Sequence, residues 1–109
     1  MTMWEFRSEL GTLDRDLVGY DVEAVDGKIG KIDEDSNETG SAYLVVDTGF
    51  WIFGKKRLIP AGVIDRIDDV DRSVFVRMTK DQIKSAPDFE EQHRTDRELY
   101  DKYYDSYWS

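Results

Sequence analysis

Asp26-Gly27 stands between two stretches whose apolar residues recur at every second position, and no other feature of the chain limits its fold as strongly. Tyr20, Val22 and Ala24 fall on one face of an extended segment, with Asp21, Glu23 and Val25 on the other. A strand with one buried face produces this alternation, whereas a helix would spread the same residues around its circumference. Asp-Gly is a two-residue turn whose backbone matches the twist of paired strands, so the chain is expected to fold back here as a β-hairpin. In the return strand, Lys28 to Asp35, Ile29 and Ile32 alternate with charges around Gly30, and a glycine inside a strand marks a bulge or a sharp bend. A hairpin bent in this way suits a barrel.

After the loop Ser36 to Gly40, the run Tyr43-Leu44-Val45-Val46 within Ala42 to Asp47 is apolar on both faces, the pattern of a strand covered on both sides. Arg57-Leu58-Ile59-Pro60 reads as a strand that its proline closes or holds at an edge, because proline has no N–H to give to a ladder. Val63 to Ile67 then turns through Asp68-Asp69-Val70-Asp71 into Ser73 to Arg77. Six short strands with no long helix among them predict a mainly β fold, a small six-stranded antiparallel barrel. Thr79 with Gln82 forms a capping box that predicts a short helix over Lys80 to Ser85, ended by Ala86-Pro87. Asp88 is expected to cap a C-terminal amphipathic helix on which Leu99 or Tyr100, Tyr103, Tyr104, Tyr107 and Trp108 recur at helical spacing. Met3, Trp4, Phe6 and Leu10 are spaced to fall on one side of a short amphipathic helix near the N-terminus. The organisation expected is an N-terminal segment (1–13), a barrel domain (14–87) and an aromatic-rich helical tail (88–109).

A chain of 109 residues is one domain's worth of material. Its 24 acidic and 15 basic side chains leave a formal net charge of -9, a field that repels phosphate backbones, so no direct nucleic-acid partner is expected. The absence of cysteine excludes disulfides, a thiol nucleophile and a thiolate metal site, and fits a cytoplasmic location. Glu5, Arg7 and Glu9 interrupt the first ten residues, which neither a signal peptide nor a spanning helix tolerates.

Val45-Val46-Asp47-Thr48-Gly49 resembles the way aspartic proteases present a catalytic carboxylate, which would require a dimer to supply the second one. The bulky Phe50 follows where a small residue is needed, and no separate downstream apolar-apolar-Gly segment exists to support the loop. Asp47 is therefore read as a strand end, and no catalytic residue is assigned. Asp33 to Gly40 places oxygens at the first, third and fifth positions of a calcium loop, but Glu38 stands at the sixth position and Leu44 at the twelfth, so it reads as a solvated loop. His93 has no second histidine or cysteine near it, and neither a metal nor a cofactor is expected. Phe50, Trp51, Ile52, Phe53, Lys55, Lys56 and Arg57 join aromatic side chains to cations and form the expected contact patch. The tail aromatics Tyr100, Tyr103, Tyr104, Tyr107 and Trp108 are the expected oligomer contact, if they do not pack on their own domain.

Together, Asp16-Leu17-Val18-Gly19-Tyr20-Asp21-Val22, Asp26 to Asp33, the Tyr43 to Asp47 strand, Lys56 to Pro60 and Thr79 to Ile83 resemble the PRC-barrel family. That family shares a small six-stranded barrel with the cytoplasmic domain of the photosynthetic reaction-centre H subunit and with the C-terminal domain of the ribosome maturation factor RimM. The resemblance implies a stand-alone bacterial, non-enzymatic adaptor that binds protein partners and forms a homodimer. Two alternatives stand beside it: a peripheral factor at a membrane surface or in reaction-centre-type electron transfer, and a dimeric aspartic protease centred on Asp47.

Overall fold

The computed structural model describes residue 4 and residues 16–36, 42–49, 56–87 and 97–108. Its elements are β1 (Asp21–Ala24), β2 (Gly27–Ser36), β3 (Tyr43–Asp47), β4 (Lys56–Pro60), a single 3-10 turn (Ala61–Val63), β5 (Ile64–Asp68), β6 (Ser73–Val76), α1 (Lys80–Lys84) and α2 (Arg97–Trp108). Among the described residues the fold is mainly β, with one six-stranded sheet and two short helices, and the mainly β character is what the alternation predicts. The proposed N-terminal helix and the Asp88 cap lie outside the described residues.

Tyr20, Val22 and Ala24 turn inward together, and Leu44, Val45 and Val46 are all fully buried, so β3 is covered on both faces. The two-residue turn is Val25-Asp26, one position earlier than expected, because Ala24 pairs with Gly27. Tertiary contacts set this shift. The Val25 N–H donates to the Met78 carbonyl at 2.9 Å, Asp26 Oδ1 accepts from the Lys80 N–H at 2.8 Å, and Gly27 takes the left-handed φ of 136°.

Gly30 marks a bulge, as its position inside a strand suggests. Val22 pairs with Gly30 and Glu23 with Lys28, leaving Ile29 as the extra residue, and a second irregularity follows between Ile32 and Glu34. A Cβ at position 30 would lie 2.1 Å from the Asp47 carbonyl oxygen. Only glycine lets β2 and the end of β3 approach this closely.

The strand order is β4-β3-β2-β1-β6-β5, and this corrects the all-antiparallel closed barrel. β1 and β6 run parallel, every other pair is antiparallel, and no ladder joins β4 to β5 among the described residues. Six strands alternating in direction need five reversals. The passage from β4 to β5 through Ala61–Val63 turns a corner without reversing the chain relative to the sheet, so β6 returns beside β1 in the same direction. The sheet is nevertheless strongly curled. From Pro60 to Ile64 the chain reaches at most about 15 Å, whereas the edges of a flat six-stranded sheet lie about 24 Å apart.

Inside the curl lies one apolar cluster from all six strands, with Trp4, Leu17, Met78, Ile83, Tyr100 and Tyr104 added from outside the sheet. Thr79 and Gln82 make the predicted reciprocal capping box at the start of α1. Among the described residues no helix is long and apolar enough to cross a membrane.

Candidate functional site

The registers align one cross-strand row along one end of the sheet. Lys56 pairs with Asp47, Asp47 with Lys31, Lys31 with Asp21, Asp21 with Ser73, and Ser73 with Asp68, so the row crosses all six strands. Signs alternate along its first four members, an arrangement that favours this register over its neighbours. Asp21 Oδ1 lies 3.0 Å from Lys28 Nζ and 3.1 Å from Lys31 Nζ. Hydrogen bonds from Lys28 and then Lys31 hold the Asp21 carboxyl below its ordinary value. Lys56 Nζ lies 2.6 Å from Asp33 Oδ2, and that bond holds its ammonium above the usual lysine range.

Two turns adjoin this row, one leading into Asp21 and one joining Asp68 to Ser73. In the first, Asp16 Oδ1 accepts from the Val18 N–H at 2.9 Å, and the Gly19 N–H donates to the Ile32 carbonyl at 2.9 Å, leaving Val18 42% exposed. In the second, Asp68 Oδ1 accepts from the N–H groups of Val70 at 3.0 Å and Asp71 at 3.2 Å, leaving Val70 92% exposed. The Tyr20 hydroxyl fastens the turns together by donating to Asp69 Oδ1 at 2.8 Å. Along the row itself, a shallow depression of about 350 Å³ is lined by Lys28, Gly30, Lys31, Asp47, Thr48 and Gly49.

The residues predicted for the site separate into three groups. Phe50, Trp51, Ile52, Phe53 and Lys55 lie outside the described residues. Lys56 is at the rim. Arg57 is not a surface contact: it is 3% exposed, with Nε donating to the Ile83 carbonyl at 3.0 Å and Nη2 to the Lys84 carbonyl at 2.9 Å. The last carbonyls of a helix lack intrahelical donors, and a buried guanidinium supplies them to α1.

The oligomer-contact expectation is corrected at Tyr100 and Tyr104, which are fully buried in their own chain. The Tyr104 hydroxyl donates to the Leu58 carbonyl at 2.8 Å, covering part of the β4 edge, and desolvation raises it far above the ordinary phenol range. The Tyr103 hydroxyl donates to the Gln82 carbonyl at 2.5 Å and is also raised, chiefly by desolvation. Tyr103 and Tyr107 are partly buried against the same core, and the Trp108 side chain is not among the described ones. α2 therefore packs on its own sheet because its apolar face meets the β4 edge.

Asp47 Oδ1 accepts from the Gly49 N–H at 3.0 Å, which makes Asp-Thr-Gly a strand-ending turn. Among the described residues no three His, Cys, Asp or Glu side chains are grouped to hold a metal ion, and Asn37 to Gly40 and His93 lie outside them. The Asp16–Tyr20 and Asp68–Arg72 turns were missed as site elements by sequence reasoning. Their only signal was an apolar valine among turn-forming residues, and the register that unites them joins positions far apart in the chain. Compared with known proteins, the chain matches no family model and no curated relative.

Proposed function

We propose that this chain is a non-enzymatic protein-interaction module of the PRC-barrel kind, an adaptor that uses the charged end of its curled sheet to bind a protein partner. One observation carries the reading: Val18 and Val70 stand exposed on two turns that Tyr20 and Asp69 fasten together and that adjoin the charged row at Asp21, Asp68 and Ser73. Exposed apolar groups rimmed by ionic ones are the makeup of a contact surface. The rim groups are engaged with one another through Lys28, Lys31 and Asp21, Lys56 and Asp33, and Tyr20 and Asp69, which suits recognition better than proton transfer. Six short strands and a capped helix at Thr79 support the family reading, while the parallel β1–β6 pair departs from the antiparallel barrel that the resemblance implies.

Affinity capture from native lysate, compared between the wild-type chain and a Val18→Ser, Val70→Ser double variant, tests the reading. A protein retained by the first and lost by the second is expected. Degradation of a denatured protein substrate that vanishes with Asp47→Asn would overturn it in favour of a protease. Sedimentation over a wide concentration range addresses self-association, and a monomer throughout removes the homodimer component.

A further inference from the structure

We propose that the tip of the β5–β6 hairpin is a preformed knob, with Val70 at its apex, that docks into an apolar hollow rimmed by lysine or arginine on another protein. This deepens the interaction-module reading and rests on it. Two residues of the tip run against local preference. Hairpin loops ordinarily take Gly, Asn, Asp or Ser, yet position 70 holds a β-branched apolar side chain that is 92% exposed. Position 72 adopts a left-handed φ of 54°, a conformation suited to glycine, and it is occupied by arginine. Departures from local rules concentrate where a surface serves function more than folding.

The tip is also held rigid. Asp68 accepts two backbone N–H groups, Tyr20 holds Asp69, the Arg72 guanidinium lies 5.2 Å from the centre of the Tyr20 ring, and the Arg72 carbonyl accepts from the Asp21 N–H at 2.9 Å. An apolar anchor on so constrained a turn loses little conformational freedom when a partner covers it, which favours tight binding per contact. Val70, exposed as it is, adds almost no buried apolar area to its own fold.

Charge identifies the occupant. Within the tip, residues 68–72, Asp68, Asp69 and Asp71 flank Val70 in the chain and Arg72 is the one cation, and Asp16 lies two residues from Val18 on the neighbouring turn. Anionic lipid and nucleic acid are repelled by this surface. A second copy is disfavoured as well, because each chain carries a formal charge of -9 and Lys28, Lys31 and Lys56 already sit on Asp21 and Asp33. The complementary surface is a basic-rimmed hollow on a different protein.

A photoreactive amino acid placed at position 70 of the full chain, in native lysate, tests this. The control is the same group at Val25, which is 70% exposed on the turn at the opposite end of β1. The expected result is one protein adduct specific to position 70, attached at an apolar segment flanked by lysine or arginine. Affinity for that purified protein should fall at least about tenfold with Val70→Ser, fall with added salt, and hold with Val25→Ser. An adduct with a second copy, with lipid, or at an acidic segment overturns the proposal, as does labelling no stronger than at position 25. If capture by the wild-type chain still retains a protein that binds Val70→Ser equally well, the knob is refuted and the interaction-module reading stands. If the chain retains no protein at all, both fall.

Discussion

Replacing Tyr104 by phenylalanine removes one oxygen from the interior and almost nothing else. That hydroxyl is fully buried and donates to the Leu58 carbonyl on the β4 edge at 2.8 Å. Its loss leaves the carbonyl without this donor, so at neutral pH the variant should be less stable by about 1–2 kcal/mol. A second effect has the opposite sign at high pH. Burial raises the folded-state hydroxyl far above its ordinary value of 10.0. Between these two values the unfolded chain gives up the proton and the folded chain keeps it. The associated stabilisation is complete below pH 10 and is lost as pH climbs above it, by about 1.4 kcal/mol for one such group at pH 11. Phenylalanine has no proton to lose. The wild-type advantage should therefore shrink from about 1–2 kcal/mol at pH 7 to about zero near pH 11. Tyr103 and the other tyrosines titrate in both proteins and cancel in the difference. Urea denaturation followed by tryptophan fluorescence at pH 7, 9, 10 and 11 gives the comparison. An advantage that stays constant to pH 11 would refute the burial of the hydroxyl, and with it the packing of α2 on the β4 edge.

Gly30→Ala should cost roughly 2–4 kcal/mol, because the added methyl meets the Asp47 carbonyl oxygen at 2.1 Å and the backbones of β2 and β3 must separate; thermal unfolding within 1 kcal/mol of wild type would contradict the close approach. Arg57→Met should cost roughly 1–3 kcal/mol by removing the guanidinium that donates to the Ile83 and Lys84 carbonyls, of which Ile83 keeps the Ala86 N–H at 3.1 Å. Hydrogen exchange should then rise in α1 before it rises in β1. Asp21→Asn should flatten the acid side of the stability curve. The lowered carboxyl contributes stability that is complete above its ordinary value of 3.8 and is lost as pH falls through its folded value, so an unchanged slope below pH 4 would show that Lys28 and Lys31 do not hold it.

Much of the fold was readable from short-range chemistry. Period-two burial at Tyr20, Val22 and Ala24, the both-sided burial of Leu44 to Val46, the strand-ending Pro60 and the Thr79–Gln82 capping box each depend on residues within a few positions of one another, and each occurs. The Asp26-Gly27 turn was misplaced by one residue because Met78 and Lys80, more than fifty positions away, hold the backbone of Val25 and the side chain of Asp26. The site was much less legible. A basic run suggested a surface for Lys56 and Arg57 alike, and adjacent strand positions face opposite ways, so one reached the rim and the other the interior.

Side-chain alternation, turn chemistry and capping thus belong to the amino-acid order, because each is settled by neighbours a few bonds apart. Strand direction and long-range register do not, since an inward-facing valine looks the same whether its partner runs parallel or antiparallel. The parallel β1–β6 pair, the charged row from Lys56 to Asp68 and the burial of Arg57, Tyr100 and Tyr104 arose when the corner at Ala61–Val63 brought the second half of the chain round to β1. The burial of apolar area selects among such long-range arrangements, and that quantity exists only once the sheet has curled.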